Sequence, residues 1–176
     1  MTDQFVQFDK DKPFYDMVAT FMVALSSSPA IFNAGNPMGY TDGQYVTISG
    51  VQVPGKHFLP IDVYAQAQAG HTTQVFFLGH TCMMLANLAY ESVKGQNDHS
   101  PEFEFFRHIR NAASHRNRFT FAKDEPRRPA AWKGVTVDHT KLGKSNPLQD
   151  THCFGPVLGP ADIIDLLAEI ERKIAT

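Results

Sequence analysis

Cysteine is scarce, with two in 176 residues. Cys82 falls in a stretch that reads as helix and Cys153 in one that reads as loop. Two cysteines in a chain of this size do not make a disulfide framework, so both are expected as free thiols. Long apolar runs are also missing, since polar residues interrupt each one well short of a membrane span. Residues 1–12 are polar and lack an apolar h-region behind a basic n-region. The expectation is a soluble cytoplasmic protein with no membrane partner. The eight histidines fall into no ligand spacing. There is no H-E-x-x-H, no C-x-x-C and no paired carboxylate run, so His71, His80, His99, His139 and the pair His152-Cys153 do not read as metal ligands. Gly143-Lys144-Ser145 lacks the earlier glycine of a phosphate-cradling loop, and Gly-x-Ser-x-Gly is absent. Neither metal nor cofactor is expected, and no internal repeat or low-complexity segment is visible.

What is present is an ordinary globular composition, 43% hydrophobic and 19% charged, in a length that suits one domain over residues 1–176. The net charge of −2 conceals a segregation. Residues 107–144 hold ten of the 16 Lys and Arg but only Asp124, Glu125 and Asp138, and ten minus three leaves +7. Such a patch is the footprint of a surface that meets phosphates locally, or else of an arginine-rich solvated loop.

Along the chain, Pro13 to Ser27 reads as a first helix. Pro13 suits a first helical position, Phe14, Met17, Val18, Phe21, Met22 and Leu25 recur at three and four residues, and Ser26-Ser27-Ser28-Pro29 should end it. Residues 30–60 turn to Gly, Pro, Asn and Asp, with Tyr45-Val46-Thr47-Ile48 and Val51-Gln52-Val53 around Ser49-Gly50 as a small hairpin. Residues 72–175 form the expected helical core. Within it, Thr72 to Val93 is apolar nearly all round and reads as a central buried helix. Ser100, Pro101, Glu102 and Glu104 are the cap, N1 proline and acidic first turn of a helix that runs to about Arg116. A basic loop, 117–150, follows, with short extended pieces at Arg118 to Phe121 and Val135 to Val137 and the only Trp, Trp132, which reads as a packing residue. After Gly155, Pro156, Gly159 and Pro160, a final amphipathic helix carries Ile163, Ile164, Leu166, Leu167 and Ile170. The fold class is mainly α with a small β-hairpin elaboration.

The helix from Pro101 sorts into two faces. Phe105, Phe106, Ile109, Ala112 and Ala113 should face the core, while Arg107, His108, Asn111, Ser114 and His115 fall opposite, where burial would leave charges and donors needing partners. Arg110 and His115 are five residues apart, about 140° around a regular helix, and do not meet side by side within one chain.

Arg110-Asn111-Ala112-Ala113-Ser114-His115 resembles the R-x4-H signature of HEPN domains, in which a polar residue, often Asn, follows the Arg. Trp132-Lys133-Gly134 and Ala161-Asp162-Ile163-Ile164-Asp165-Leu166-Leu167 also resemble prokaryotic HEPN-like proteins, so the likeness covers residues 72–175. The resemblance implies a helical bundle that dimerises with its two motif helices facing each other, and a metal-independent ribonuclease activity, in toxin–antitoxin or phage-defence settings with an antitoxin-like protein partner. In that chemistry a ribose 2′-hydroxyl attacks the adjacent phosphate. His115 would act as general base or acid, Arg110 would fork onto the phosphate oxygens, and Asn111 would orient the phosphate or His115. Arg107, Arg116 and Arg118 are the candidate phosphate-tracking residues. The alternative is a noncatalytic nucleotide- or RNA-binding or protein-interaction module using the same face, because fold does not establish activity.

Overall fold

Ser100 caps the helix around which the larger part of the computed structural model is arranged. Its Oγ accepts a hydrogen bond from the Phe103 N–H at 3.4 Å, Pro101 occupies the first helical position, and Glu102 and Glu104 sit in the first turn, where acidic groups face the positive end of the helix. The structure describes residues 6–32, 44–48, 51–52, 55–58, 65–122, 124–137 and 146–174. The chain divides into two compact units, Met1–Met22 with Gly79–Thr176, and Val23–Leu78. The described helices are α1 (Tyr15–Phe32), α2 (Gln74–Val93), α3 (Pro101–Ser114) and α4 (Pro160–Ile174), with a 3-10 turn at Lys94–Gln96. Two antiparallel hairpins join them, β1 (Val46–Ile48) with β2 (Lys56–Phe58) and β3 (Ala130–Trp132) with β4 (Val135–Val137). The fold is mainly α with small β elaborations, as the composition and periodicity indicate.

In the larger unit α3 is the core. Phe105, Phe106, Ile109, Ala112 and Ala113, the face predicted from their spacing, are all buried, and Phe103 is buried with them. The helix ends earlier than expected. His115 is its C-cap, with a backbone N–H that bonds to the Asn111 and Ala112 carbonyls. Arg116 and Asn117 then take φ of 57° and 65°, a left-handed pair that turns the chain away. Asn117 fixes the turn by exchanging two hydrogen bonds with the Phe154 backbone, donating at 2.8 Å and accepting at 2.7 Å.

The β3–β4 hairpin turns on Lys133 and Gly134 at φ 44° and 82°, the positive values that a two-residue hairpin turn requires. It packs across α3. Trp132 is therefore in a strand, stacked on Phe105 with ring centroids 6.3 Å apart, and its Nε1 donates to Glu169 at 2.9 Å. Ile163, Leu166, Leu167 and Ile170 of α4 are fully buried, and α4 also packs on α3. From α2, Cys82, Leu85, Ala86, Ala89, Tyr90 and Val93 are buried, a single face at helical spacing. The expectation of burial all round fails because only that face is covered, and Met84 and Leu88 stand 65% and 58% exposed. Both cysteines are buried thiols, and burial pushes Cys82 up to about 12.

In the smaller unit the Ser-Ser-Ser-Pro run does not stop α1, which carries Pro29 inside it. The Ser26 and Ser27 hydroxyls donate back to the Val23 carbonyl at 2.9 and 2.8 Å, so both hydroxyls find an acceptor inside the helix. Buried Ser28 accepts from Gln74 Nε2 at 2.9 Å, and Phe32 meets Phe77 at 5.7 Å between centroids. The first hairpin pairs Val46 with Phe58 and Ile48 with Lys56. Its first strand is where the sequence puts it, but the second is Lys56–Phe58 in place of residues 51–53; Val51 and Gln52 form a bend. Ser49, Gly50 and Val53 lie outside the described residues, as do His139 and Gly143-Lys144-Ser145. Among the described helices α1 reaches the length and mean hydropathy of a membrane span, 18 residues at 1.2, with Asp16, three serines and Pro29 running through it.

These contacts rank two substitutions. Ser100→Ala removes one cap hydrogen bond and is expected to lower the unfolding free energy by about 1 kcal/mol. Phe105→Ala empties a site under Trp132 and should lower it by about 3–5 kcal/mol. Urea unfolding of both variants checks the order, and equal losses would contradict the packing described for α3.

Candidate functional site

Arg110 and Asn111 lie on the strip of α3 that the core does not cover. Arg110 Nη2 donates to Glu91 Oε1 on α2 at 2.5 Å, and Nη1 donates to Asn111 Oδ1 at 3.4 Å. The guanidinium stands 6.0 Å from the centroid of the Tyr90 ring, within cation–π reach. Its Nε is buried without a hydrogen-bond partner. One turn further on, Ser114 Oγ donates to Asn87 Oδ1 at 2.6 Å while Asn87 Nδ2 donates to the Met83 carbonyl at 3.0 Å. A polar seam thus joins α2 to the last two turns of α3.

Glu91 is exposed and serves two cations. Hydrogen bonds from Lys94 and then from Arg110 hold its carboxyl below the ordinary range. His115 and Arg116 are exposed at the end of the seam, and among the described residues neither side chain has a partner. His115 stands at the C-terminal end of α3. No hydrogen bond links it to Arg110 among the described residues, in keeping with their separation in sequence.

Arg107 lies elsewhere, in an ion-pair network. Its Nε donates to Glu104 at 3.0 Å and its Nη1 to Glu125 at 2.8 Å. Glu104 is only 2% exposed. Burial pushes its carboxyl up, but hydrogen bonds from Arg107, Asn97 and His99 outweigh that and hold it below the ordinary range. Both sides of the Arg107 fork are therefore engaged by carboxylates. Arg118 Nη1 donates to the Asp150 carbonyl at 2.7 Å, which ties the two ends of the basic loop together. Of the six residues picked from the sequence, the structure groups Arg110 with Asn111, leaves His115 and Arg116 open beside them, and gives Arg107 and Arg118 partners within the chain.

His108 departs furthest from the polar face assigned to it, being 1% exposed. Its ring lies 5.3 Å from that of Phe121, and its Nε2 accepts from Arg107 Nη2 at 3.1 Å. The proton then sits on Nδ1, which is buried without a partner. Burial, with help from the Arg107 charge, pushes this imidazole down to about 4.

Sequence reasoning missed Glu91, Asn87 and Tyr90. Asn87 and Glu91, one turn apart in a largely apolar stretch of the helix, were the available signal, since two polar groups at that spacing make a strip. Against known proteins, no family model, no curated protein and no solved structure matches the chain.

His108 also sets a pH dependence. An unfolded histidine takes up its proton near pH 6.5, and the native one only near 4. Between these values the unfolded chain binds more protons, so stability falls as the pH drops through that window, by roughly 3 kcal/mol. His108→Gln, which retains an acceptor for Arg107, is expected to flatten the unfolding free energy between pH 6.5 and 4.5. A variant as steep as the wild type would show that another group titrates there.

Proposed function

We propose that the chain is a HEPN-like metal-independent endoribonuclease, acting as a homodimer through Arg110, Asn111 and His115. The observation that carries this reading is the uncovered end of α3. It presents an arginine with an unpartnered Nε and, at the C-cap, a histidine and an arginine open to solvent. Arg116 adds charge there, and Arg118 follows directly after the turn. The apolar side chains Met84 and Leu88 are exposed on α2, three residues before and one after Asn87, and surface of this kind is what association covers. A twofold axis through it would bring two copies of Arg110 and His115 to one phosphodiester.

The chemistry needs nothing beyond these groups. One His115 takes the proton of the ribose 2′-hydroxyl, the oxygen attacks phosphorus, and the 5′-oxygen leaves with a proton from the His115 of the second copy. The products are a 2′,3′-cyclic phosphate and a 5′-hydroxyl. Arg110, as a bidentate donor, stabilises charge on the phosphoryl oxygens as the transition state forms. A toxin–antitoxin or phage-defence setting, an antitoxin-like partner and the cytoplasmic location rest on the resemblance and composition alone.

One observation favours a second reading. Glu91 already engages Arg110, as suits a noncatalytic RNA- or protein-binding module that uses the same face. The pair is solvent-accessible, with side chains 33% and 40% exposed, and an exposed ion pair yields to a competing phosphate.

The test is cleavage of a mixed end-labelled RNA pool in EDTA by wild type, Arg110→Ala and His115→Ala, with dimer content measured in each. The expected result is cleavage by wild type and loss of about a hundredfold or more in both variants. Equal background in three dimeric proteins would sink the catalytic reading and leave the binding one. Glu91→Gln, which releases the Arg110 fork, should tighten binding of an RNA probe severalfold, most clearly at low salt; weaker binding would show that Glu91 positions Arg110 for its ligand.

A further inference from the structure

Two short stretches of chain run antiparallel just past the end of α3. The Cys153 N–H donates to the Asn117 carbonyl and the Phe119 N–H to the Thr151 carbonyl, each at 2.9 Å. Arg118 and His152 are therefore direct partners, flanked by these bonds and not joined by them. Partners of that kind stand closest, about 4.5 Å between Cα atoms, with both side chains on one face of the pair. Alternation fixes which face. Phe119 and Cys153, the next residue along each stretch, are fully buried, so Arg118 and His152 project the other way, and both are exposed. The Arg118 N–H also donates to the His115 carbonyl at 3.1 Å, a turn that keeps those two Cα atoms within about 7 Å.

Donors outnumber acceptors here. Among the described residues the His152 side chain has no partner, and Arg118 uses only Nη1, on the Asp150 carbonyl, which leaves Nε and Nη2 open. Inside the turn the N–H groups of Arg116 and Asn117 also meet no acceptor among the described residues, and consecutive free N–H groups are an anion-binding element. Asp150 is the only acid in residues 115–122 and 146–158. A guanidinium and an imidazole set opposite each other repel when both are charged; what they share is an anion that accepts from both. A phosphate does so, taking a fork from the arginine and a further bond from the histidine. We propose that Arg118 and His152 together bind one backbone phosphate of an RNA strand, a neighbour of the phosphate that meets His115. The proposal rests on the RNA reading of the α3 end and adds to it a contact made within a single chain, through a residue outside the helix motif.

The test reads binding separately from turnover. A fluorescein-labelled 2′-O-methyl RNA pentamer lacks the attacking hydroxyl and stays intact, so its anisotropy with the full chain reports affinity whether or not natural RNA is cleaved. His152→Ala removes an exposed side chain and leaves both backbone bonds in place; it should weaken binding by about tenfold, the usual effect of losing a hydrogen bond to a charged group. Arg118→Gln, which keeps an N–H donor for the Asp150 carbonyl, should weaken it similarly and lower the slope of log affinity against log salt by about 0.7. The double variant should bind only slightly worse than either single one, because both side chains serve one phosphate. His71→Ala, an exposed histidine of the smaller unit, should bind as wild type does. Losses that add in the double variant, equal affinity in wild type and His152→Ala, or a wild type that does not bind the probe each overturn the proposal, and cleavage of natural RNA by the same protein would then leave the ribonuclease reading standing. The expected pattern of losses in a protein that cleaves nothing would uphold this site and end that reading.

Discussion

A carboxylate taken out of water stays charged only when donors surround it, and Glu104, in the first turn of α3, places that demand on everything near it. Asn97 and His99 reach it from the segment before the helix, Arg107 from one turn further on, and Arg128 stands at 4.0 Å. Arg107 in turn holds Glu125, whose other oxygen accepts from the Ala122 N–H at 3.1 Å. The chain before α3, the helix itself and the start of the basic loop are thereby bound into one arrangement. His108 is drawn in as well. Lying beside Arg107 and away from water, it serves as a neutral acceptor and not as a surface acid or base.

Local signals in the sequence translated directly. Ser100, Pro101 and the two glutamates mark the start of α3 because capping chemistry involves only neighbours, and Phe105, Phe106, Ile109, Ala112 and Ala113 mark its core face because their spacing follows the helix. His108 was placed by its chemistry and not by its angle. It lies three residues after Phe105 and four before Ala112, on the buried side, and only the loop that folds over it could show how its polarity is met. The same limit applies to α2, where an apolar composition cannot say which face another element covers. In the first hairpin, Lys56-His57-Phe58 carries no alternation, and its pairing is set by the strand opposite.

The site was half legible for a related reason. Arg110, Asn111 and His115 stand out by motif, but the residues that hold them come from α2, and the match of Glu91 to Arg110 or Asn87 to Ser114 exists only once the two helices lie together. The early helix end was hidden too. Arg116 gives no warning of a left-handed turn, whereas Asn117, tolerant of that conformation, does so only in retrospect through its two bonds to Phe154. The result is that His115 sits where a helix stops and not along its side, so its freedom is that of a chain reversal anchored at Asn117.

The two thiols acquire a use from where they lie. Cys82 is on the buried face of α2, and Cys153 belongs to the segment that Asn117 pins; each is almost wholly excluded from solvent, and they are close enough for one charge to be felt by the other. A thiol in this state reacts with an alkylating reagent only when the packing over it opens. The chain therefore carries its own stopwatch for local breathing. The rate at which Cys153 is capped reports how often the 150–158 segment lifts from the end of α3, and Cys82 reports the helix behind it, without any label being introduced.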